Sequence, residues 1–135
     1  MGSYTEQGGD RRARPSLLHI VLLAPDPKAT AAWYQAVLGA ELVSATDSAY
    51  RLRFGSVELL VEGERADEMP LPASAQPRLG LDHLVFLVSD LDALIAAAQR
   101  HGARVFDDTD DDAPGRRAAT VVGPEGVRIQ LIEDV

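Results

Sequence analysis

Four polar side chains in apolar, strand-like runs are the residues of this chain best suited to chemistry. His19 lies in the run LHIVLL, and His83 lies 64 residues later in the similar run DHLVFL. Glu58 and Gln130 each lie in an apolar run near the end of the same two halves. Mixed imidazole and oxygen ligands suit Mn, Fe, Co, Ni or Zn better than Ca or Mg. The pattern therefore predicts a divalent-metal site that takes two side chains from each half.

The elements that would position these side chains occur in the same order in both halves. In the first half, Asp26 and Pro27 are typical of the start of a helix, which Gly39 would end. In the second half, the segment 89–92 starts a similar helix that Gly102 would end. Since such constant spacing indicates a duplication, we predict two modules of the order βαβββ.

The length of 135 residues predicts one folded domain with a substantial core. Residues 1–15 are glycine-rich and polar without hydrophobic period, and we interpret them as a disordered tail. The domain would then occupy residues 16–135. Its modules would span about residues 17–62 and 81–133, and the proline-rich segment 63–80 would be the linker between them.

Composition excludes several classes of function. The net charge of −8 argues against nucleic-acid binding, and the absence of cysteine removes disulfides, thiolate metal sites and thiol nucleophiles. The longest apolar runs are strand-sized, so no membrane partner is expected. A cytoplasmic location is the default expectation, whereas the acidic surface says little about the ligand.

A glycine turn sharpens this interpretation. The segment 123–131 reads GPEGVRIQL, and with the two βαβββ modules it resembles the vicinal oxygen chelate superfamily, the glyoxalase, bleomycin-resistance and dioxygenase group. The resemblance implies an α+β fold in which tandem modules form a curved mixed sheet, a half-open barrel with helices on the outside. It also implies a homodimer, and the cleft would lie either within one chain or between two.

The resemblance also assigns roles to the four polar residues. His19, Glu58, His83 and Gln130 match the metal-ligand positions on the first and last strand of each module. A glyoxalase-like lyase or isomerase would use the metal as a Lewis acid to stabilise an enediolate or enolate. Glu58, the one carboxylate of the set, would be the catalytic base. Gln130 departs from the glutamate that is common there, and a dioxygenase is disfavoured because the second half lacks another ligand histidine.

Two further readings remain open at this point. The chain could be a metal-free protein that binds a small molecule such as an antibiotic, as in the bleomycin-resistance branch. Glu58 could then face solvent or an arginine such as Arg53 or Arg128 instead of a metal. It could also be a structural or regulatory dimer without chemistry. Arg53 and Arg117 are the candidates to bind an anionic substrate group, although surface salt bridges would explain them equally well.

Overall fold

The computed structural model describes residues 14–63, 79–107 and 115–134. Most of the expected tail and most of the expected linker, residues 1–13 and 64–78, lie outside the described residues.

Each half contains one helix and four strands, as the repeat predicts. The first half consists of β1 (His19–Leu23), α1 (Pro27–Leu38), β2 (Glu41–Ala45), β3 (Ala49–Phe54) and β4 (Val57–Glu62). The second half consists of β5 (His83–Val88), α2 (Leu91–Arg100), β6 (Arg104–Asp107), β7 (Arg116–Val122) and β8 (Arg128–Asp134). The tandem βαβββ order is therefore confirmed.

Both helices begin where their capping residues predict. The side chain of Asp26 accepts a hydrogen bond from the Ala29 amide at 3.1 Å, and Asp90 accepts one from the Ala93 amide at the same distance. These bonds satisfy backbone donors that have no partner within the first turn. Helix α1 ends at Gly39, whose φ of 71° lies in the left-handed region that favours glycine. Each helix is thereby fixed relative to the strand before it.

The two modules form two separate sheets with the same topology. The strand order is β1-β4-β3-β2 in the first sheet and β5-β8-β7-β6 in the second, and the outer pairs β1–β4 and β5–β8 are parallel. In the described part of the chain no ladder joins the two sheets, so they are not closed into a barrel. Strands β1 and β5 are consequently edge strands of their own sheets.

Strand alternation gives each sheet one face that packs on a helix. Leu52, Leu59 and Val61 are buried in the first sheet, and Ile129 and Leu131 are buried in the second. These residues and the inner sides of both helices belong to one apolar core shared by the two modules. We call the opposite side of each sheet its open face.

Aromatic contacts hold the modules together across this core. The ring centroids of Phe54 in the first module and Phe86 in the second lie 4.8 Å apart, and the two rings pack edge to face. Tyr34 of α1 is fully buried, and this burial raises the pKa of its hydroxyl.

None of the helices in the described residues is long and apolar enough to cross a membrane.

Candidate functional site

A row of three polar side chains crosses the open face of the first sheet. His19 on β1 is the register partner of Glu58 on β4, and Glu58 is in turn the register partner of Arg53 on β3. Register partners on neighbouring strands project from the same face. Because the adjacent row contains the buried pair Leu52 and Leu59, these three side chains lie on the side away from α1.

Two arginines neutralise the carboxylate of Glu58. The Arg51 Nε lies 3.4 Å from Glu58 Oε1, and the Arg53 Nη2 lies 4.0 Å from Glu58 Oε2. Arg53 also reaches Glu41 through Nη1 at 3.6 Å. These side chains are only partly buried, so each pair contributes about 0–1 kcal/mol to stability. The arrangement is the arginine pairing that the metal-free reading of Glu58 expected.

The strand ladders change which positions of the two halves are equivalent. Val21 faces Leu60 in the first sheet, and Val85, 64 residues after Val21, faces Gln130 in the second. Leu60, rather than Glu58, is therefore the structural equivalent of Gln130. By the same ladders, the equivalent of Glu58 is Arg128, which faces His83. The match between Glu58 and Gln130 that the sequence suggested is off by two residues.

The donor set of one chain does not fit a resident divalent ion. Within the described residues, no group of three or more His, Cys, Asp or Glu side chains could hold a metal. His19 and Glu58 line one cavity of about 390 Å³, whereas His83 lines another of about 130 Å³. Position 60 offers an aliphatic side chain, and the amide of Gln130 supplies no negative charge to offset that of a metal.

Arg117 lies away from this row and binds helix α2. Its Nη2 is 2.8 Å from Asp92 Oδ1, and its Nη1 is 3.4 Å from Glu133 Oε1. Glu133 also accepts a hydrogen bond from the backbone amide of Leu91, the first residue of α2. The structure therefore places Arg117, one of the two candidate substrate-binding arginines, in a network that fastens the start of α2 to β7 and β8.

This network predicts a pH-dependent effect of Arg117→Gln. Hydrogen bonding and charge attraction from Arg117 hold the pKa of Asp92 below its ordinary value of 3.8. A carboxyl whose folded-state pKa is lowered adds stability above its unfolded pKa and loses it as the pH falls. We expect the variant to be less stable than wild type in urea unfolding at pH 7, with the difference narrowing as the pH falls below 3.8.

Arg116→Gln provides a matched control for that experiment. Arg116 pairs with the exposed Asp134 at 3.0 Å and makes no contact with Asp92. It should therefore show a smaller loss at neutral pH. An Arg117→Gln defect of equal size at pH 7 and pH 3 would contradict a role that depends on the ionised Asp92.

A cleft of about 650 Å³ lies between the two modules. Its walls are mainly apolar and come from α1, β3 and β4 on one side and from β5 and α2 on the other. Glu41, Arg53 and Glu58 form its polar end, and Arg53, Gly55 and Glu58 also line the 390 Å³ cavity beside His19. Sequence analysis missed the apolar wall from β5; its only signal was an uninterrupted apolar run after His83.

The fold agrees with a family comparison. The model of the Glyoxalase/Bleomycin resistance protein/Dioxygenase superfamily matches residues 16–131. The chain belongs to this superfamily. No curated protein matches it.

Solved structures of superfamily members share the fold. A glyoxalase family protein from Enterococcus faecalis is 26% identical, with a TM-score of 0.67 over 87% of this chain and 97% of that one. A family enzyme from Burkholderia phytofirmans is 17% identical, with a TM-score of 0.69 over 90% and 100%. Lactoylglutathione lyase from Agrobacterium tumefaciens is 20% identical, with a TM-score of 0.62 over 89% and 94%. At these identities the last two comparisons concern the fold alone.

Proposed function

We propose that this superfamily member is a metal-independent binding protein for a small organic anion with an apolar body. The observation that carries the proposal is the 650 Å³ cleft, whose apolar walls end at Arg53 and Glu58. Small-molecule sites are commonly clefts of roughly 300–1,000 Å³ with mostly apolar walls and a few polar groups that orient the ligand. The apolar body would lie between the modules, and its anionic group would pair with the guanidinium of Arg53.

The two arginines beside Glu58 also support this proposal over a metal enzyme. In a resident metal site Glu58 would give its charge to the ion, whereas here Arg51 and Arg53 already neutralise it. An incoming carboxylate or phosphate would compete with Glu58 for the same guanidinium groups. The antibiotic-binding branch of the superfamily is the nearest functional parallel, and the metal-dependent lyase or isomerase is the competing proposal.

A paired thermal-shift experiment tests the proposal on the full chain. One panel contains Zn²⁺, Ni²⁺, Co²⁺ and Mn²⁺, and the other contains aromatic and long-chain aliphatic carboxylic acids. A ligand that binds only the native state at a hundredfold excess over its Kd stabilises it by about 2.7 kcal/mol. We expect members of the carboxylic-acid panel to raise the Tm and the metals alone to leave it unchanged.

Arg53→Gln should weaken that binding by about 1.5–3 kcal/mol, since it removes a charged hydrogen-bond donor. Arg100→Gln is the control, because Arg100 lies at the end of α2 and lines none of the three cavities. Stabilisation by metals alone, with one ion per chain that Glu58→Gln removes, would overturn the proposal and favour the metal-dependent lyase or isomerase.

Assembly into a homodimer stays a prediction. Its structural support is the exposure of apolar side chains on the edge strands, namely Val21 on β1 and Val85 and Leu87 on β5. Unpaired edge strands with apolar side chains favour association with another chain.

A further inference from the structure

His83 and its neighbour Asp82 form a hydrogen-bonded pair at the start of β5. The Oδ2 atom of Asp82 lies 2.7 Å from Nδ1 of His83. An ionised carboxylate only accepts hydrogen bonds, so Nδ1 must be the donor. In the neutral imidazole, Nε2 then carries the lone pair and is the hydrogen-bond acceptor.

A third residue holds the carboxylate of this pair. Arg128 is the register partner of His83 on β8, and its Nη1 lies 3.8 Å from Asp82 Oδ2. Asp82 is therefore placed between a guanidinium and an imidazole. This arrangement restrains the carboxylate, and through it the ring of His83, more than the bond to His83 alone would do.

His83 is one of the residues that line the 130 Å³ cavity between the modules. The other walls are mainly apolar and include Ile20 and Val21 of β1 and Leu84 of β5. Ile20, Leu59 and Leu84 also line the 650 Å³ cleft, so the two spaces adjoin. Within the described residues, the bond to Asp82 is the only hydrogen bond of the His83 side chain. Its Nε2 therefore stays available to a ligand.

We infer that Asp82 is a positioning residue that presents Nε2 of His83 as the acceptor for a phenolic hydroxyl in this cavity. The inference rests on the proposed binding function and adds a second recognition point in the cavity that adjoins the cleft. An apolar cavity of about 150 Å³ is known to take a benzene ring, and the volume here is similar, about 130 Å³. A ring that also carries a hydroxyl group suits both the apolar walls and an acceptor at Nε2 of His83.

The first test measures the tautomer of His83 directly. The chain has three histidines, so a long-range ¹H–¹⁵N spectrum of the full protein at about pH 9, where an ordinary imidazole is neutral, contains three imidazoles. His83→Gln identifies the signals of His83. We expect Nδ1 to carry the proton in wild type and Asp82→Asn to shift the proton toward Nε2. A wild-type ring protonated mainly on Nε2 would overturn the inference, whether or not the variant folds.

The second test compares phenol with anisole, which has the same ring but no hydroxyl donor. By chemical-shift titration, wild type should bind phenol roughly tenfold more tightly than anisole, the difference expected for one hydrogen bond. Asp82→Asn should remove this preference, while Asp134→Asn, which alters an exposed partner of Arg116, should keep it.

Equal affinities for phenol and anisole in wild type would overturn the inference. They would leave the proposed function intact if the carboxylic-acid panel still binds in an Arg53-dependent manner. If the carboxylic acids do not bind but the phenol preference remains, the proposed function would be overturned while the role of Asp82 would stand.

Discussion

Leu52→Ala is expected to lower the free energy of unfolding by about 2–5 kcal/mol, the range measured for leucine truncations in well-packed cores. Leu52 is fully buried at the middle of β3, and its register partner Leu59 is buried as well. Truncation removes its contacts with the shared core and leaves a cavity that the surrounding sheet fills only in part. Urea unfolding followed by the fluorescence of Trp33, the single tryptophan of the chain, measures the loss.

The cross-strand neighbour of Leu52 supplies a closely matched control. Leu42 on β2 is its register partner and is 43% exposed. Leu42→Ala makes the same chemical change on a surface that already contacts water, so its cost should stay within about 0.5–1 kcal/mol. Similar losses in the two variants would mean that the difference in burial between these two leucines does not determine their contribution to stability.

Local signals account for the parts of the fold that the sequence predicted correctly. The start of each helix follows from one aspartate whose side chain caps the first turn, Asp26 and Asp90. The end of α1 follows from Gly39, which adopts a positive φ. Such signals involve residues within four positions of one another, so they are visible without knowledge of tertiary contacts. The repeat of these signals is what made the two modules recognisable.

Strand register depends on residues far apart in sequence, and the predicted equivalence of Glu58 and Gln130 was wrong for this reason. Glu58 and Leu60 lie on the same face of β4, because side chains two residues apart share a face. For the same reason, alternation cannot distinguish Glu58 from Leu60 as the equivalent of Gln130. Only the pairing of β4 with β1, and of β8 with β5, decides between them.

The face of the sheet on which the Arg117 side chain lies could not be predicted from the sequence, for a different reason. Four consecutive residues of β7, from Ala118 to Val121, are all buried, so the strand shows no alternation between polar and apolar positions. A strand buried on both faces offers no pattern from which to tell which face a terminal arginine joins. The carboxylates that bind Arg117 come from α2 and β8, 25 and 16 residues away in sequence.

The register argument leads to a gain-of-function prediction at Leu60. Leu60→Glu places a carboxylate at the structural equivalent of Gln130, on the same open face as His19. The superfamily resemblance puts metal ligands at the first and last strands of each module, and this substitution supplies the donor that the first module lacks there. We expect the variant to bind Zn²⁺ or Ni²⁺ more than about tenfold more tightly than wild type, since even indirect partners of metal ligands contribute roughly 10–100-fold.

Calorimetric titration with Zn²⁺ or Ni²⁺ of Leu60→Glu and of three further variants of this chain separates the possible origins of that gain. His19→Ala in the Leu60→Glu background should abolish the new affinity, because the imidazole would be a ligand. Glu58→Gln in the same background should leave it, because Glu58 lies two residues away from the equivalent position and is engaged by arginines. The opposite outcome is that Leu60→Glu gains no affinity while Glu58→Gln removes a metal already bound by wild type. Glu58 would then be the ligand, and the equivalence of positions deduced from strand pairing would not identify the metal ligands. A gain at Leu60 alone would mean that the aliphatic side chain at position 60 limits the metal affinity of the open face of the first sheet.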